Sequence, residues 1–218
     1  MPIKYTLLLS LLAIFFIALL QVNLFGIAFA KLGLTPQESL LLLIGSLVGS
    51  GINIPLLQLH NPDRGFPVKW AIQKVMWGVA PAKLSDKIII AVNVGGCLIP
   101  LSLSLYFISL QVIDPIKIII GVSAITLLSY KSSELIPGFG VGMPLFLAPI
   151  SAALLALVID PEHAAPLAYL SGVLGVLIGA DILRIKNITQ LGTSIAVIGG
   201  AGTFDGIFLT GLIAALLA

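Results

Sequence analysis

Long apolar runs separated by short polar breaks set the pattern of this chain. Seven runs emerge, at about 5–29, 37–59, 88–110, 115–130, 136–159, 164–183 and 189–218. Most approach the roughly 20 apolar residues that a helix needs to cross a hydrocarbon core about 30 Å thick. The period-two alternation of barrel strands is absent, so the pattern predicts an all-α polytopic transmembrane bundle of about seven spans. Two runs carry start signals. Thr35-Pro36-Gln37-Glu38 offers a capping threonine with proline at the first helical position, and Asp114-Pro115 opens the fourth run.

Glycine and proline interrupt several runs. The clusters are Gly45–Pro55, Asn93–Pro100, Pro137–Pro144 and Gly199–Gly202. Proline removes a backbone donor and clashes with the preceding turn. At membrane depth the freed carbonyls must be satisfied by protein or water. Close helix packing through small residues is one reading, and Gly45, Ser46, Gly49 and Ser50 fit it directly. Discontinuous helices lining a cavity are the other. Asn53 and Asn93 fall in these clusters as candidate substrate-binding residues or as interhelical hydrogen-bonding groups.

Composition turns the pattern into a membrane assignment. Of 218 residues, 59% are hydrophobic and 9% charged, against roughly 25% charged in soluble domains. Mean hydropathy is +1.17. A net charge of +2 is too small to suggest nucleic acid. One cysteine, Cys97, excludes an internal disulfide and a multi-cysteine metal site. The start of the chain resembles a signal peptide ending at Ala28-Phe29-Ala30, but its apolar run is too long for one, so a retained first helix is expected. The whole of 1–218 reads as one integral membrane domain.

Basic residues orient the bundle. With the N-terminus inside, Lys4, Arg64, Lys69, Lys74, Lys83, Lys87, Lys131, Arg184 and Lys186 fall inside, and only Lys31 and Lys117 outside. That bias predicts a multi-pass protein of the cell's inner (cytoplasmic) membrane, with its C-terminus outside. The inner connection carries Trp70, Lys74 and Trp77 at helical spacing, which predicts an interfacial helix at about 68–80.

Asp181 and Asp205 lie in apolar sequence on the last two runs, and an intramembrane carboxylate is a functional candidate. Two carboxylates sharing a proton form the acid–base pair of aspartic proteolysis. No serine–histidine or cysteine–histidine arrangement competes, because His60 and His163 fall on opposite faces. One difficulty is depth. In a continuous helix over 189–218, Asp205 would sit about 22 Å from the cytoplasmic start, far deeper than Asp181. The pair can meet only if Leu191–Gly202 is re-entrant, interfacial or unwound, as Gly199, Gly200 and Gly202 permit.

An aspartate in one span and a glycine-preceded aspartate in the next resembles the presenilin and signal-peptide-peptidase class of intramembrane aspartyl proteases. That class has Tyr-Asp where this chain has Ala180-Asp181, and Gly-x-Gly-Asp where it has Gly202-Thr203-Phe204-Asp205. Its Pro-Ala-Leu element comes later in the chain, whereas here Leu147-Ala148-Pro149 comes earlier. The resemblance implies Asp181 and Asp205 as catalytic residues, with Gly202 and Thr203 shaping the substrate approach. Gly-Ala-Asp together with the run Gly202–Gly211 also resembles a family of uncharacterised prokaryotic membrane proteins.

Three functions remain open. An intramembrane aspartic endopeptidase would act on a transmembrane helix. A small secondary transporter would carry a solute and use Asp205 as its coupling site. An assembly protein would pair Asp181 with Arg184 or Lys186. Glu134 faces the same cytoplasmic side and is a candidate to join the site. Membrane lipid is the expected surrounding partner, and no cofactor or metal is expected.

Overall fold

The computed structural model describes residues 21–60, 87–136, 140–187, 195–200 and 206–218. A helix covers 21–31 (α1). Then come α2 (Pro36–Gly49), β1 (Asn53–His60), β2 (Lys87–Asn93), a π turn (Val94–Leu98) and α3 (Ile99–Ser109). Next are α4 (Pro115–Ser132), the short strands β3 (Glu134–Ile136) and β4 (Gly140–Gly142), and α5 (Leu147–Ile159). The chain continues through α6 (Ala164–Val176), a second π turn (Leu177–Ile182), β5 (Ile195–Ile198) and α7 (Gly206–Leu217). Helix predominates.

Among the described residues two helices are long and apolar enough to cross a membrane, Pro115–Ser132 and Pro161–Asn187. Both match runs expected from the sequence. The start signals act as anticipated. Thr35 and Glu38 form a reciprocal capping box, with the Glu38 carboxylate accepting from Thr35 N at 2.8 Å. Asp114 Oδ1 accepts from Ile116 N at 2.8 Å at the head of α4.

Among the described residues four other runs are not continuous helices, which corrects the expectation of an all-α bundle. The run at 37–59 is α2 followed by β1, and that at 88–110 is β2, a π turn and α3. The run at 136–159 begins as a β-hairpin, and that at 189–218 divides into β5 and α7. The physical reason lies in composition. The stretch Ile88–Val92 is a short, largely β-branched apolar run, and such a run reads equally as buried helix or buried strand. β2 is the middle strand of a three-stranded sheet, antiparallel to β1 and parallel to β5. Ile88 and Ile90 are fully buried in it. Pro55 lies at a register shift in β1, an edge strand, where its missing donor is tolerated. The expected interfacial helix at 68–80 and most of the first run lie outside the described residues.

α6 is the central helix and touches α3, α4, α5 and α7. Small residues let it do so. A β-carbon on Gly175 would come within 2.6 Å of Ile125 on α4, and one on Gly211 of α7 within 2.5 Å of Val173. Tyr169 of α6 stacks edge-on against Phe107 of α3, with ring centroids 5.9 Å apart. The polar groups gather at two ends. At one, Lys31 Nζ donates to Leu216 O at 2.9 Å, and Lys117 pairs with the buried Asp160 at 3.0 Å. Arg184, the β3–β4 hairpin and the sheet lie at the other.

Candidate functional site

Asp181 occupies the second π turn, at the end of α6. A π turn uses one residue more per turn than an α-helix, which rotates the chain beyond it by about 100°. The bond from Leu183 N to Ile178 O at 2.9 Å closes it. Packing holds the turn against α4, because a β-carbon on Gly179 would collide with Thr126 O and come within 2.9 Å of Ser129 Cβ. Beside it, Thr126 Oγ1 and Ser129 Oγ are buried without a hydrogen-bond partner. Such unsatisfied groups concentrate where a fold holds a functional geometry against its own stability.

Arg184 comes two residues after the π turn. Its Nη2 donates to Tyr130 O at 2.5 Å and to Ser133 O at 2.6 Å, and its Nε donates to Ser133 Oγ at 3.2 Å. The guanidinium also lies 4.7 Å from the Tyr130 ring centroid. A cation is thereby fixed on the last carbonyls of α4, where the helix dipole favours it. The expected partnership with Asp181 does not use these donors. The spacing of three residues put both on one face of an ideal helix, but the π turn rotates Arg184 toward α4.

Asp181 is half-buried and opens onto a cavity of about 250 Å³. Ala180 lines it from the same turn, Gly142 and Met143 from the hairpin side, and Gly206, Ile207 and Thr210 from α7. Glu134 is exposed and pairs in register with Gly142, which brings its backbone to the cavity rim. Among the described residues, the polar side chains in the wall are those of Asp181 and Thr210, the latter 2% exposed. Sequence reasoning missed Thr210. Its signal was available as helical spacing, because Gly206 and Thr210 share one face of α7.

Asp205, Gly202 and Thr203 lie outside the described residues. Asp205 directly precedes Gly206, the cavity-lining first residue of α7. The break on which the depth argument turned is present. β5 ends at Ile198, and Gly199 and Gly200 come next in the left-handed region, with φ of 82° and 77°. Gly199 also packs onto the first π turn, where a β-carbon would come within 2.5 Å of Cys97 Cβ. Gly95 on that turn meets the end of α2, where a β-carbon would overlap the backbone of Ser46. Three changes between strand and helix thus converge on glycines.

Asn93 locks this junction. It is fully buried, and its Nδ2 donates to Ser50 O at 2.6 Å and to Asn53 Oδ1 at 2.9 Å. Its Oδ1 accepts from Gly96 N at 2.7 Å, capping the π turn. These bonds join Asn53 and Asn93 across the junction as hydrogen-bonding groups. Among the described residues no group of three or more His, Cys, Asp or Glu is placed to hold a metal.

A protein-family model matches residues 47–217, from the end of α2 to the end of α7. Its description is protein of unknown function (DUF1614). No curated protein and no solved structure matches the chain.

Proposed function

The chain belongs to the DUF1614 family; from its site geometry we propose that it is a multi-pass inner-membrane protein that performs aspartic-type proteolysis within the bilayer. Asp181 and Asp205 form the catalytic pair. The observation that carries this reading is that Asp181 opens onto a cavity whose far wall begins at Gly206, the residue after Asp205. The interruption between β5 and α7 supports this reading, because the depth mismatch arises from a continuous last helix.

The chemistry rests on two carboxyl groups sharing one proton. The ionised group takes a proton from water as its oxygen attacks the scissile carbonyl carbon. The protonated group donates to the carbonyl oxygen. Collapse of the tetrahedral intermediate breaks the C–N bond as a proton passes to the leaving nitrogen. A peptide analogue with a hydroxyethylene group in place of the scissile amide mimics that intermediate. It is expected to bind at least 100-fold more weakly to Asp181→Asn and Asp205→Asn than to the parent protein. Equal affinity in either variant contradicts the assignment.

The seven-span topology is part of the proposal. It is supported by the grouping of Lys31, Lys117, Asp160 and His163 at one end and Arg184 at the other, as alternating spans require. α2 is about 21 Å long and β1 adds about 26 Å, together more than the bilayer core. The sheet therefore sits toward the cytoplasmic interface, where its edges can be hydrated or covered by protein.

A second reading draws on the glycine junction. Three interrupted elements, at Gly49, Gly95 and Gly199, are packed on one another, and transporters bind solutes at such discontinuous helices. Solute uptake into proteoliposomes that depends on pH and on Asp205 would favour it.

A further inference from the structure

We infer that Thr210 is a substrate-binding residue that hydrogen-bonds the backbone of an unwound polypeptide segment in the Asp181 cavity. The inference rests on the proteolytic reading of that cavity for its occupant and on Thr210's own surroundings for its role.

A threonine inside a helix ordinarily returns its hydroxyl to the carbonyl one turn back. Among the helix serines, Ser104, Ser132 and Ser171 do so here. Thr210 shows no such bond among the described residues, although the residue is 2% exposed. The cause is packing. Its Cγ2 methyl lies in the notch left by Gly172 on α6, where a β-carbon would come within 3.2 Å of it. With the methyl held there, the restricted χ1 of a β-branched residue commits the hydroxyl to another direction. Thr210 lines the cavity one helical turn, about 6 Å, beyond Gly206. The hydroxyl is thus without a partner among the described residues and open to one that enters the cavity.

The lining identifies that partner's chemistry. Among the described residues, Ile207, Val176, Ala180 and Met143 supply an apolar surface, while Asp181 and Thr210 supply polar side chains. A hydrocarbon chain would leave the hydroxyl unmet. An unwound peptide offers apolar side chains and unpaired backbone groups together, which is what this wall matches.

Two variants and one probe test the inference. Thr210→Val keeps the methyl in the Gly172 notch and removes the hydroxyl, whereas Thr210→Ser keeps the hydroxyl. The probe is a fluorescently labelled single-span Leu/Ala peptide with a central Gly-Pro, reconstituted with the full-length protein in liposomes. Thr210→Val is expected to weaken peptide binding about tenfold, the loss of one hydrogen bond, and Thr210→Ser, which keeps the hydroxyl but not the methyl that directs it, to weaken it less, by about threefold. In the absence of peptide, Thr210→Val is expected to melt at or above the parent temperature, because it removes no hydrogen bond made among the described residues. Undiminished binding by Thr210→Val, a lowered melting temperature in that variant, or no binding to the parent protein would each overturn the inference. Binding that depends on Thr210 without cleavage that depends on Asp181 would leave Thr210 as a peptide-binding residue and reject proteolysis.

Discussion

Arg184 clamps Ser133, donating to its carbonyl oxygen at 2.6 Å and to its hydroxyl at 3.2 Å. This contact ties the end of the π turn that holds Asp181 to the end of α4. Replacing Arg184 with Met is expected to destabilise the protein by about 1.5–3 kcal/mol, as for hydrogen bonds to a charged group. Lysine should restore part of this, because it keeps the charge but not the fork that reaches both oxygens. Thermal unfolding in detergent measures both.

Asn93 provides a second test, separating fold from chemistry. Truncation to Ala leaves Ser50 O, Asn53 Oδ1 and Gly96 N without their partner. Ser50 and Gly96 are buried and Asn53 is exposed; each buried orphan costs about 1–3 kcal/mol, so Asn93→Ala is expected to lose about 2–6 kcal/mol in chemical denaturation. Any activity per folded molecule should be preserved. Loss of activity at unchanged stability would instead assign Asn93 to the substrate.

Acid stability depends on Asp160, in the loop between α5 and α6. The Lys117 ammonium hydrogen-bonded to it holds its carboxyl below the usual 3.8; burial opposes this, and His163 adds a weaker lowering contact. A carboxyl whose folded pKa is depressed contributes stability that is present above its unfolded pKa and lost as pH falls through the folded one. Melting temperature should therefore decline below about pH 4. Lys117→Met should lower the neutral-pH plateau by about 1–2 kcal/mol and shrink that decline. An unchanged acid limb would contradict this.

The capping signals at Thr35 and Asp114 were legible because they are local, fixed by side chains two or three residues from the backbone groups they satisfy. The long apolar helices α4 and α6 were legible because no strand accommodates their length. β2 was not, because the run from Ile88 to Val92 fits a buried helix as well as a buried strand, and its pairing with β1 and β5 settles it from elsewhere in the chain. Both π turns were invisible for the same reason, since Gly179 and Gly95 act through contacts with α4 and α2. The sequence marked Asp181 by its cost in apolar surroundings. It did not reveal Thr210 or Gly142, which become site residues only where α7 and the hairpin meet α6.

Topology can be checked by labelling introduced cysteines in a Cys97→Ala background. Cysteines replacing Lys31 and Glu162 are expected to react with a membrane-impermeant maleimide in intact cells. One replacing Lys131 should react only after permeabilisation. The opposite pattern would reverse the orientation, and equal reactivity would reject it.

The central claim is that Asp181 and Asp205 act as one catalytic pair. Cleavage of a single-span Leu/Ala peptide with a central Gly-Pro in liposomes, by the parent protein and by Asp181→Asn and Asp205→Asn, tests it most directly. The account predicts cleavage by the parent protein and a loss of at least about 1,000-fold in each variant, about 4 kcal/mol of transition-state stabilisation. Cleavage that persists in either variant would contradict it.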